Sequence, residues 1–275
     1  LRVKNAQMED DLKMAREIQQ AMLPQQCPTF PRSATPDQSA FQFTHRYLPA
    51  GSVGGDFFIV SALSENEAGV FICDVAGHGV RSALVTAMVR ALAEELKALA
   101  TDPGQFLSKL NSDLHAILKH AGMPMLTTAF CLVADWTTGT MRHANAGHPK
   151  PLHIRRSTGR VEPLAQGAGR NEPVLGLFED ATYRTAEAKL SPGDVVMLFT
   201  DGLYEVENHK QELYSQAMLV AGVQRRAQLP VGRLFDELLA EIRQFAADHN
   251  FADDVCLVGI EYAGDAEHVA AGVQP

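Results

Sequence analysis

Cysteine is scarce in this sequence, and no two cysteines lie close enough to share a metal ion. The four residues, Cys27, Cys73, Cys131 and Cys256, are far apart and form no CxxC pair. Structural zinc sites and disulfide frameworks depend on closely spaced cysteines, so both are disfavoured. Three of the four lie in apolar segments with strand character, which indicates buried, reduced thiols in a cytoplasmic protein.

Long basic runs and membrane-length apolar runs are also absent. Asp and Glu (33) outnumber Lys and Arg (24), which gives a formal net charge of −9 and argues against nucleic acid or an anionic membrane as the main partner. The longest apolar candidate is interrupted by Arg81, Arg90 and Glu94, so no membrane span is expected. The polar first residues do not resemble a signal peptide. Since residue 1 is not Met, we expect the chain to be part of a longer protein.

Two familiar catalytic patterns are missing. The sequence contains no GxSxG motif and no HExxH motif, which argues against a serine hydrolase and a zinc peptidase. His143, His148 and His153 are spaced by five residues, which fits neither an HExxH helix nor a zinc finger. We expect these histidines to face solvent or to lie in loops, not to form a metal site.

The order of local patterns divides the chain into four parts. Residues 1–23 are predicted to be helical, residues 24–40 are a proline-rich connector, residues 41–262 alternate strands with two pairs of helices, and residues 263–275 are a tail. Among the helices we predict 103–121, opened by Asp102 and Pro103, and among the strands the segments 175–178 and 195–206. Hairpin-like strands around helical pairs indicate a layered α+β domain with mainly antiparallel sheets.

The first predicted helix carries a heptad-like apolar pattern. Leu1, Met8, Ala15 and Met22 recur every seventh residue, with Leu12 and Ile18 close by. This spacing is typical of a helix that pairs with another helix in a coiled coil. The alternative is a helix packed on its own domain. We favour pairing with a second copy of the chain or with an upstream module.

Acidic turns recur in four places. An apolar strand or a glycine pair delivers an aspartate at a turn in GGD (Asp56), CDVAGHG (Asp74), FTDG (Asp201) and ADD (Asp253 and Asp254). Each Asp alone is explained as a turn former. Together they suggest more, because several carboxylates in one pocket require a compensating cation. Oxygen ligands without Cys favour two Mg²⁺ or Mn²⁺ ions, which can activate water for attack on a phosphoryl group.

Five motifs in this order resemble one known family. PAGSVGGDFF, DVAGHGVRSAL, NAGHPKP, FTDGLYE and ADDVCLV are similar to the SpoIIE/RsbU branch of the PPM (2C-like) metal-dependent serine/threonine phosphatases. The resemblance covers roughly residues 41–262. It implies a β-sandwich of two mainly antiparallel sheets flanked by helical pairs. REIQQAMLP (16–24) also resembles the segment that joins sensor modules to this domain.

The resemblance also implies a set of site residues. Asp56, Asp74, Asp201 and Asp253 would supply carboxylates and Val75 a backbone carbonyl, with Asp254 as either a further metal residue or a turn residue. No phosphate-holding basic residue of the distant eukaryotic relatives can be matched. His78 is two positions away from the equivalent His of those relatives, so packing of the turn is an equally good interpretation. For His148 we prefer a role in fixing the local conformation.

The function implied is hydrolysis of phosphoserine or phosphothreonine by a metal-activated water. Members of this branch act on a phosphorylated anti-sigma-factor antagonist with a STAS-like fold, in bacterial partner-switching signalling. An upstream sensor or receiver module and a homodimer through residues 1–23 would then control the enzyme. The alternative from another class is an inactive pseudophosphatase that serves as an adaptor. The presence of all four metal-binding aspartates favours the enzyme.

Overall fold

Two five-stranded antiparallel sheets form the centre of the molecule. The computed structural model describes residues 2–77, 79–122, 125–165, 172–248 and 250–264. Its α-helices are α1 (Arg2–Met22), α2 (Val80–Glu95), α3 (Pro103–Ala121), α4 (Gln216–Gln224) and α5 (Val231–Phe245). Its strands are β1 (Phe41–Leu48), β2 (Asp56–Ala62), β3 (Glu67–Val75), β4 (Thr127–Asp135), β5 (Thr140–Ala146), β6 (Leu152–Arg155), β7 (Arg160–Pro163), β8 (Ala186–Lys189), β9 (Val195–Phe199) and β10 (Val255–Tyr262).

The strand order separates the two sheets cleanly. The first sheet has the order β1-β10-β9-β6-β7 and the second has the order β2-β3-β4-β5-β8. Every pairing between these strands is antiparallel. The expected α+β sandwich is therefore confirmed.

Side chains alternate between two cores because successive residues of a strand point to opposite faces. The face shared by the two sheets includes Phe58, Ile72 and Phe130 from one sheet and Leu198 and Val258 from the other. All are essentially excluded from solvent. This interior holds the two sheets face to face, and burial of apolar surface is the main stabilising term.

The outer face of each sheet is covered by one pair of helices. Helices α2 and α3 pack through Val89 and Leu110 on the second sheet, against residues such as Phe71. Helices α4 and α5 pack through Leu219 and Leu238 on the first sheet. The result is the αββα layering that the resemblance implied.

Local sequence explains where α3 begins and ends. Asp102 caps the first turn by accepting hydrogen bonds from the backbone N–H groups of Gly104 and Gln105, and Pro103 occupies the first helical position. At the other end Gly122 adopts a left-handed conformation with φ +61°, which glycine adopts without steric cost. The predicted bounds 103–121 are confirmed.

Two strand predictions are wrong in part. Residues 175–178 form no strand: Leu175 makes only an isolated bridge to Thr127, and Gly176 has φ +78°. The predicted strand 195–206 stops at Phe199, and Asp201–Leu203 is a short 3-10 helix. The predicted loop at 166–172 and the tail after 264 lie almost wholly outside the described residues.

Neither membrane-spanning helices nor disulfides occur in the described part of the chain. No described helix is long and apolar enough to cross a membrane. All four cysteines are free thiols, and Cys73, Cys131 and Cys256 are buried in strands, as predicted.

Candidate metal centre

Asp56 and Asp74 lie directly opposite each other in neighbouring strands. Asp56 is the first residue of β2, Asp74 is the penultimate residue of β3, and the two are register partners. Opposite residues of an antiparallel pair have Cβ atoms about 4.5–5.5 Å apart, and like charges there repel. The sheet register therefore places two carboxylates together at one end of the sandwich.

Asp56 also connects the two sheets. Its side chain is 2% exposed, and its Oδ2 accepts a hydrogen bond of 2.6 Å from Thr200 Oγ1. Thr200 follows β9 of the other sheet, and its hydroxyl oxygen accepts a 2.9 Å hydrogen bond from the Cys256 N–H in β10. Asp201 directly follows Thr200, and Asp253 lies three residues before Cys256, so the same end of the first sheet carries both aspartates.

The raised pKa values of the carboxylates indicate that several negative charges lie close together here. Burial, followed by the charges of Asp201 and Asp253, raises the pKa of Asp74 to about 7. Burial and the neighbouring Asp74 raise the pKa of Asp56 well above its usual value. Burial, Glu205 and Asp253 raise the pKa of Asp201 as well. Raised pKa values of this kind arise where buried carboxylates lie close to other negative charges.

Asp254 is turned toward the backbone. Its Oδ1 accepts a 2.8 Å hydrogen bond from the Ala50 N–H, and its Oδ2 accepts a 2.7 Å hydrogen bond from the Gly55 N–H. Among the described residues, the side chain of the adjacent Asp253 makes one hydrogen bond, in which its Oδ1 accepts from the Asp254 N–H at 2.8 Å. Asp254 therefore fixes the loop before β2, while Asp253 keeps an oxygen for another partner.

Glycines allow the loops of this end to approach closely. A Cβ on Gly55 would overlap the carbonyl oxygen of Val75, and a Cβ on Gly202 would overlap the carbonyl oxygen of Asp254. The Val75 N–H in turn donates to the Gly55 carbonyl at 3.2 Å. The backbone that carries the Val75 carbonyl, a predicted ligand, is thus packed directly against the loop that leads into Asp56.

The carboxylates are neighbours, not a closed cage. Within the ranges that the structure describes, no three His, Cys, Asp or Glu side chains already converge in an arrangement that would hold a metal ion. The chemistry of the donor set nevertheless fits Mg²⁺ or Mn²⁺, since these hard cations prefer oxygen ligands. His78, in the turn after Asp74, lies outside the described residues.

His148 stabilises a turn beside this centre. Its Nδ1 is 2.8 Å from Thr128 Oγ1, while its backbone N–H donates to Asn145 Oδ1 at 2.7 Å and its carbonyl accepts from Asn145 Nδ2 at 2.9 Å. Burial lowers the pKa of His148 to about 3, and an interaction with the Phe199 backbone opposes this only in part. The imidazole is neutral near pH 7, which fits a conformational role.

The expectation that His143 and His153 face solvent is wrong. Their exposed fractions are 1% and 2%. His143 stacks on Phe130, with ring centroids 5.4 Å apart, and His153 Nε2 lies 2.9 Å from Asp194 Oδ2. Both histidines lie on strands whose two faces are covered, by the other sheet and by helices, so side-chain alternation does not bring either of them to the surface.

Three contacts of this centre were not predicted from the sequence. The Thr200 hydroxyl bridges the sheets, Asp254 holds two amides, and Gln19 of α1 binds the Gly54 backbone. Gln19 Nε2 donates to the Gly54 carbonyl at 2.6 Å, and the Gly54 N–H donates to Gln19 Oε1 at 2.9 Å. The motif REIQQAMLP contains this glutamine, but its partner is 35 residues away and only the fold reveals it.

Comparison with known protein families gives one extended match. The family described as "Stage II sporulation protein E (SpoIIE)" matches residues 64–263. IcfG of Synechocystis sp. is 27% identical over 235 residues, which is 76% of the chain. Phosphoserine phosphatase RsbP of Bacillus subtilis is 23% identical over 252 residues, which is 91% of the chain. The chain spans 35% of the length of IcfG and 57% of RsbP.

Solved structures share the fold. The SiaA-PP2C domain of Pseudomonas aeruginosa superposes with a TM-score of 0.78 at 22% identity, covering 95% of this chain and all of that one. RsbX, described as a complex with magnesium, superposes with a TM-score of 0.57 at 16% identity, covering 80% of this chain and 94% of that one. The predicted phosphatase-like αββα fold is confirmed.

Proposed function

The chain belongs to the SpoIIE family, and from that premise we propose that it removes phosphate from serine or threonine of a regulatory protein with the help of two divalent cations. The observation that carries the proposal is that four aspartates from distant turns lie close enough to interact at one end of the sandwich. Burial and neighbouring negative charges raise the pKa values of Asp56, Asp74 and Asp201, and Asp253 is one of those neighbours. Similarity to a named phosphoserine phosphatase supports it.

The ions would be held by the carboxylates of Asp56, Asp74, Asp201 and Asp253 and by the Val75 carbonyl. When bound, Mg²⁺ or Mn²⁺ would activate water and neutralise charge on the phosphoryl group. Asp254 has both oxygens engaged by backbone amides, so we assign it to positioning of the Gly54–Gly55 loop. Thr200 would orient Asp56 through its 2.6 Å hydrogen bond. No side chain is required as a nucleophile.

Phosphate release from p-nitrophenyl phosphate and from a phosphoserine protein, with manganese present, tests this function. Asp201→Asn is expected to lower kcat/KM by at least about 100-fold, because loss of a metal-site residue costs at least as much as loss of a supporting one. Asp180→Asn, an exposed position in a turn, is the matched control and should keep the parental rate. Wild-type rates in Asp201→Asn would refute the assignment of that residue.

A phosphorylated STAS-like anti-sigma-factor antagonist is the substrate that the family resemblance suggests. We place the reaction in the cytoplasm, because three buried free thiols fit a reducing compartment. The rival proposal, a pseudophosphatase adaptor, predicts no divalent-ion binding. Calorimetric titration with manganese separates the two: saturable binding that is lost in Asp201→Asn supports the enzyme, and absence of heat supports the adaptor.

Control through α1 is a further part of the proposal. Met8, Met14 and Ile18 expose 64%, 62% and 60% of their surface, which fits a helix that pairs with a second copy or an upstream module. Gln19 on the same helix grips the Gly54 backbone, two residues before Asp56. A movement of α1 can therefore shift the loop that leads into Asp56, because the buried side-chain amide of Gln19 links the two.

Charge placed on this helix tests the pairing. We expect Leu12→Glu combined with Ile18→Glu to shift the protein toward monomer in sedimentation, or to change basal phosphatase activity. Exchange of Glu17, which is exposed on the same helix, for Gln is the control. If the double variant keeps both the oligomeric state and the activity, pairing through α1 is wrong.

A further inference from the structure

A cavity of about 390 Å³ opens beside the aspartate centre and shares Asp201 with it. Its wall is formed by the turn after β5, by the ends of β7 and β9, and by the first half of α4. Cavities that hold whole ligands measure about 300–1,000 Å³. A phosphoryl group beside Asp201 would fill only one end, so the remainder is free to contact other parts of a substrate.

Lys150 lines this cavity on a braced turn. Pro149 precedes it and Pro151 follows it, and each proline ring fixes its own φ. The turn is tied by the two hydrogen bonds between Asn145 and His148, and Gly147 takes the left-handed φ of +69° that the turn needs. These hydrogen bonds, the two prolines and the left-handed Gly147 constrain the backbone of the turn that carries Lys150.

The ammonium group of Lys150 forms no ion pair with the part of the chain that the structure describes. Its side chain is exposed, and among the described residues no carboxylate lies within 4 Å of it. The other charged groups of the described lining are the carboxyls of Asp201 and Glu172, while His148 is neutral. Glu172 accepts a hydrogen bond of 2.9 Å from the Arg184 N–H. Lys150 is therefore the single cation that this described lining offers to a ligand.

The rest of the wall suits a polypeptide. Leu152, Leu219 and Val220 supply apolar surface. Tyr204 packs edge-on against Phe199, with ring centroids 6.2 Å apart, and its hydroxyl interacts with the Gln216 side chain. Apolar side chains, polar side chains and one cation together make up a lining that suits a short peptide segment.

We propose that this cavity binds the residues that flank the phosphorylated serine of the substrate, and that Lys150 selects an acidic residue among them. The proposal rests on the proposed phosphatase function, since the shared Asp201 sets the end at which the phosphate lies. The protein carries a net charge of −9, so an acidic phosphoprotein is repelled at long range. A fixed cation at the mouth of the site offsets that repulsion for a correctly oriented substrate.

Two phosphoserine peptides of equal length test the selection, one with glutamates and the other with lysines on both sides of the phosphoserine. Wild type is expected to prefer the glutamate peptide by about fivefold in kcat/KM, mainly through KM. Lys150→Glu should abolish or invert this preference, and Lys150→Arg should retain it. The substitution Lys150→Glu should lower kcat/KM for the glutamate peptide at least about fivefold more than it lowers kcat/KM for p-nitrophenyl phosphate, which lacks flanking residues.

Lys189→Glu is the control for net charge, because Lys189 is exposed on β8 of the other sheet. It should keep both the preference and the basal rate. An unchanged peptide preference in Lys150→Glu, or an equal loss toward p-nitrophenyl phosphate, would overturn the proposal.

Fluorescence anisotropy of the labelled glutamate peptide separates this proposal from the proposed function. If wild type hydrolyses nothing, the phosphatase function fails. Weaker binding of the peptide by Lys150→Glu than by wild type and Lys189→Glu still supports the pocket. Equal binding by all three proteins refutes it.

Discussion

Asp56 and Asp74 occupy a position that costs the protein stability. They are register partners in neighbouring strands. Burial, followed by the charge of Asp74, raises the pKa of Asp56, and burial, followed by the charges of Asp201 and Asp253, raises the pKa of Asp74. A carboxyl whose pKa is raised by folding destabilises the folded state, because the unfolded chain holds the charge more easily. The loss of stability begins as the pH rises above the unfolded pKa and is complete above the folded pKa. A feature that destabilises the free protein is well explained by the binding of a cation.

The variant Asp74→Asn tests this conflict between stability and function. Since the pKa of Asp74 is about 7 in the fold and 3.8 in its reference state, the penalty is fully present at pH 8 and vanishes below about pH 4. We expect Asp74→Asn to raise the free energy of unfolding of the metal-free protein by about 1–3 kcal/mol at pH 8. Urea unfolding in a chelator measures it, with Asp180→Asn as control. A destabilised variant at pH 8 would contradict the account.

His143 gives a second prediction at the scale of the residue. Neither ring nitrogen has a hydrogen-bond partner in the described structure, and burial lowers the pKa of His143 from 6.5 to about 4. The unfolded chain therefore binds a proton between these pH values that the folded chain does not. Stability falls as the pH drops from 6.5 toward 4 and then levels off.

We expect His143→Leu to be more stable than wild type at pH 7, because no buried polar atom is left unpaired. The difference in free energy of unfolding between the variant and wild type should grow by about 1–2 kcal/mol between pH 7 and pH 5. Urea titrations at the two pH values measure the difference. His209→Leu, at an exposed position, should show no such growth, and a constant advantage for His143→Leu would refute the argument.

Among the structural elements, the loop before β2 leaves no room for a side chain at Gly55. Gly55 packs on the Val75 carbonyl, which is a predicted metal ligand, and Gly55 directly precedes Asp56. We expect Gly55→Ala to lower the free energy of unfolding by about 1–3 kcal/mol, because a backbone atom must move. It should also weaken manganese binding.

Gly51→Ala is the matched control, since the nearest atom to its added Cβ is 3.6 Å away. This change should stay within about 0.5 kcal/mol of wild type. Thermal unfolding and calorimetric titration of both variants give the comparison. Equal behaviour of the two alanine variants would show that the close approach at Gly55 has no importance.

The sequence predicts helix ends correctly where capping residues act on neighbouring positions. The bounds of α3 follow from Asp102, Pro103 and Gly122, whose capping roles act within a few residues. The apolar segment at 175–178 contains the same kinds of residues as a strand, but Gly176 with φ +78° breaks the extended backbone. Apolar composition alone cannot distinguish a strand from a buried loop.

At the scale of the whole molecule, the layers could be predicted from the sequence, whereas the contacts among the aspartates, whose role as metal ligands stays a prediction, could not. The pairing of Asp56 with Asp74 depends on sheet register, and the role of Asp254 depends on amides about 200 positions away in the chain. Long-range contacts of this kind leave no periodic trace in the sequence. The same holds for the cavity at Lys150, whose lining residues extend from Thr128 to Val220 in the chain.

The global arrangement assigns separate tasks to separate layers. The interior between the sheets supplies rigidity, α1 projects apolar side chains into solvent, and one end of the sandwich gathers the negative charge. Binding of cations at that end is therefore expected to stabilise the whole fold, as any ligand of the native state does.

A crystal structure of the protein grown with manganese, with anomalous diffraction data, tests the central claim most directly. The account predicts two anomalous peaks among the carboxylates of Asp56, Asp74, Asp201 and Asp253, with Asp254 still bound to the amides of Ala50 and Gly55. Absence of manganese from this end of the sandwich, or peaks only elsewhere on the surface, would contradict it.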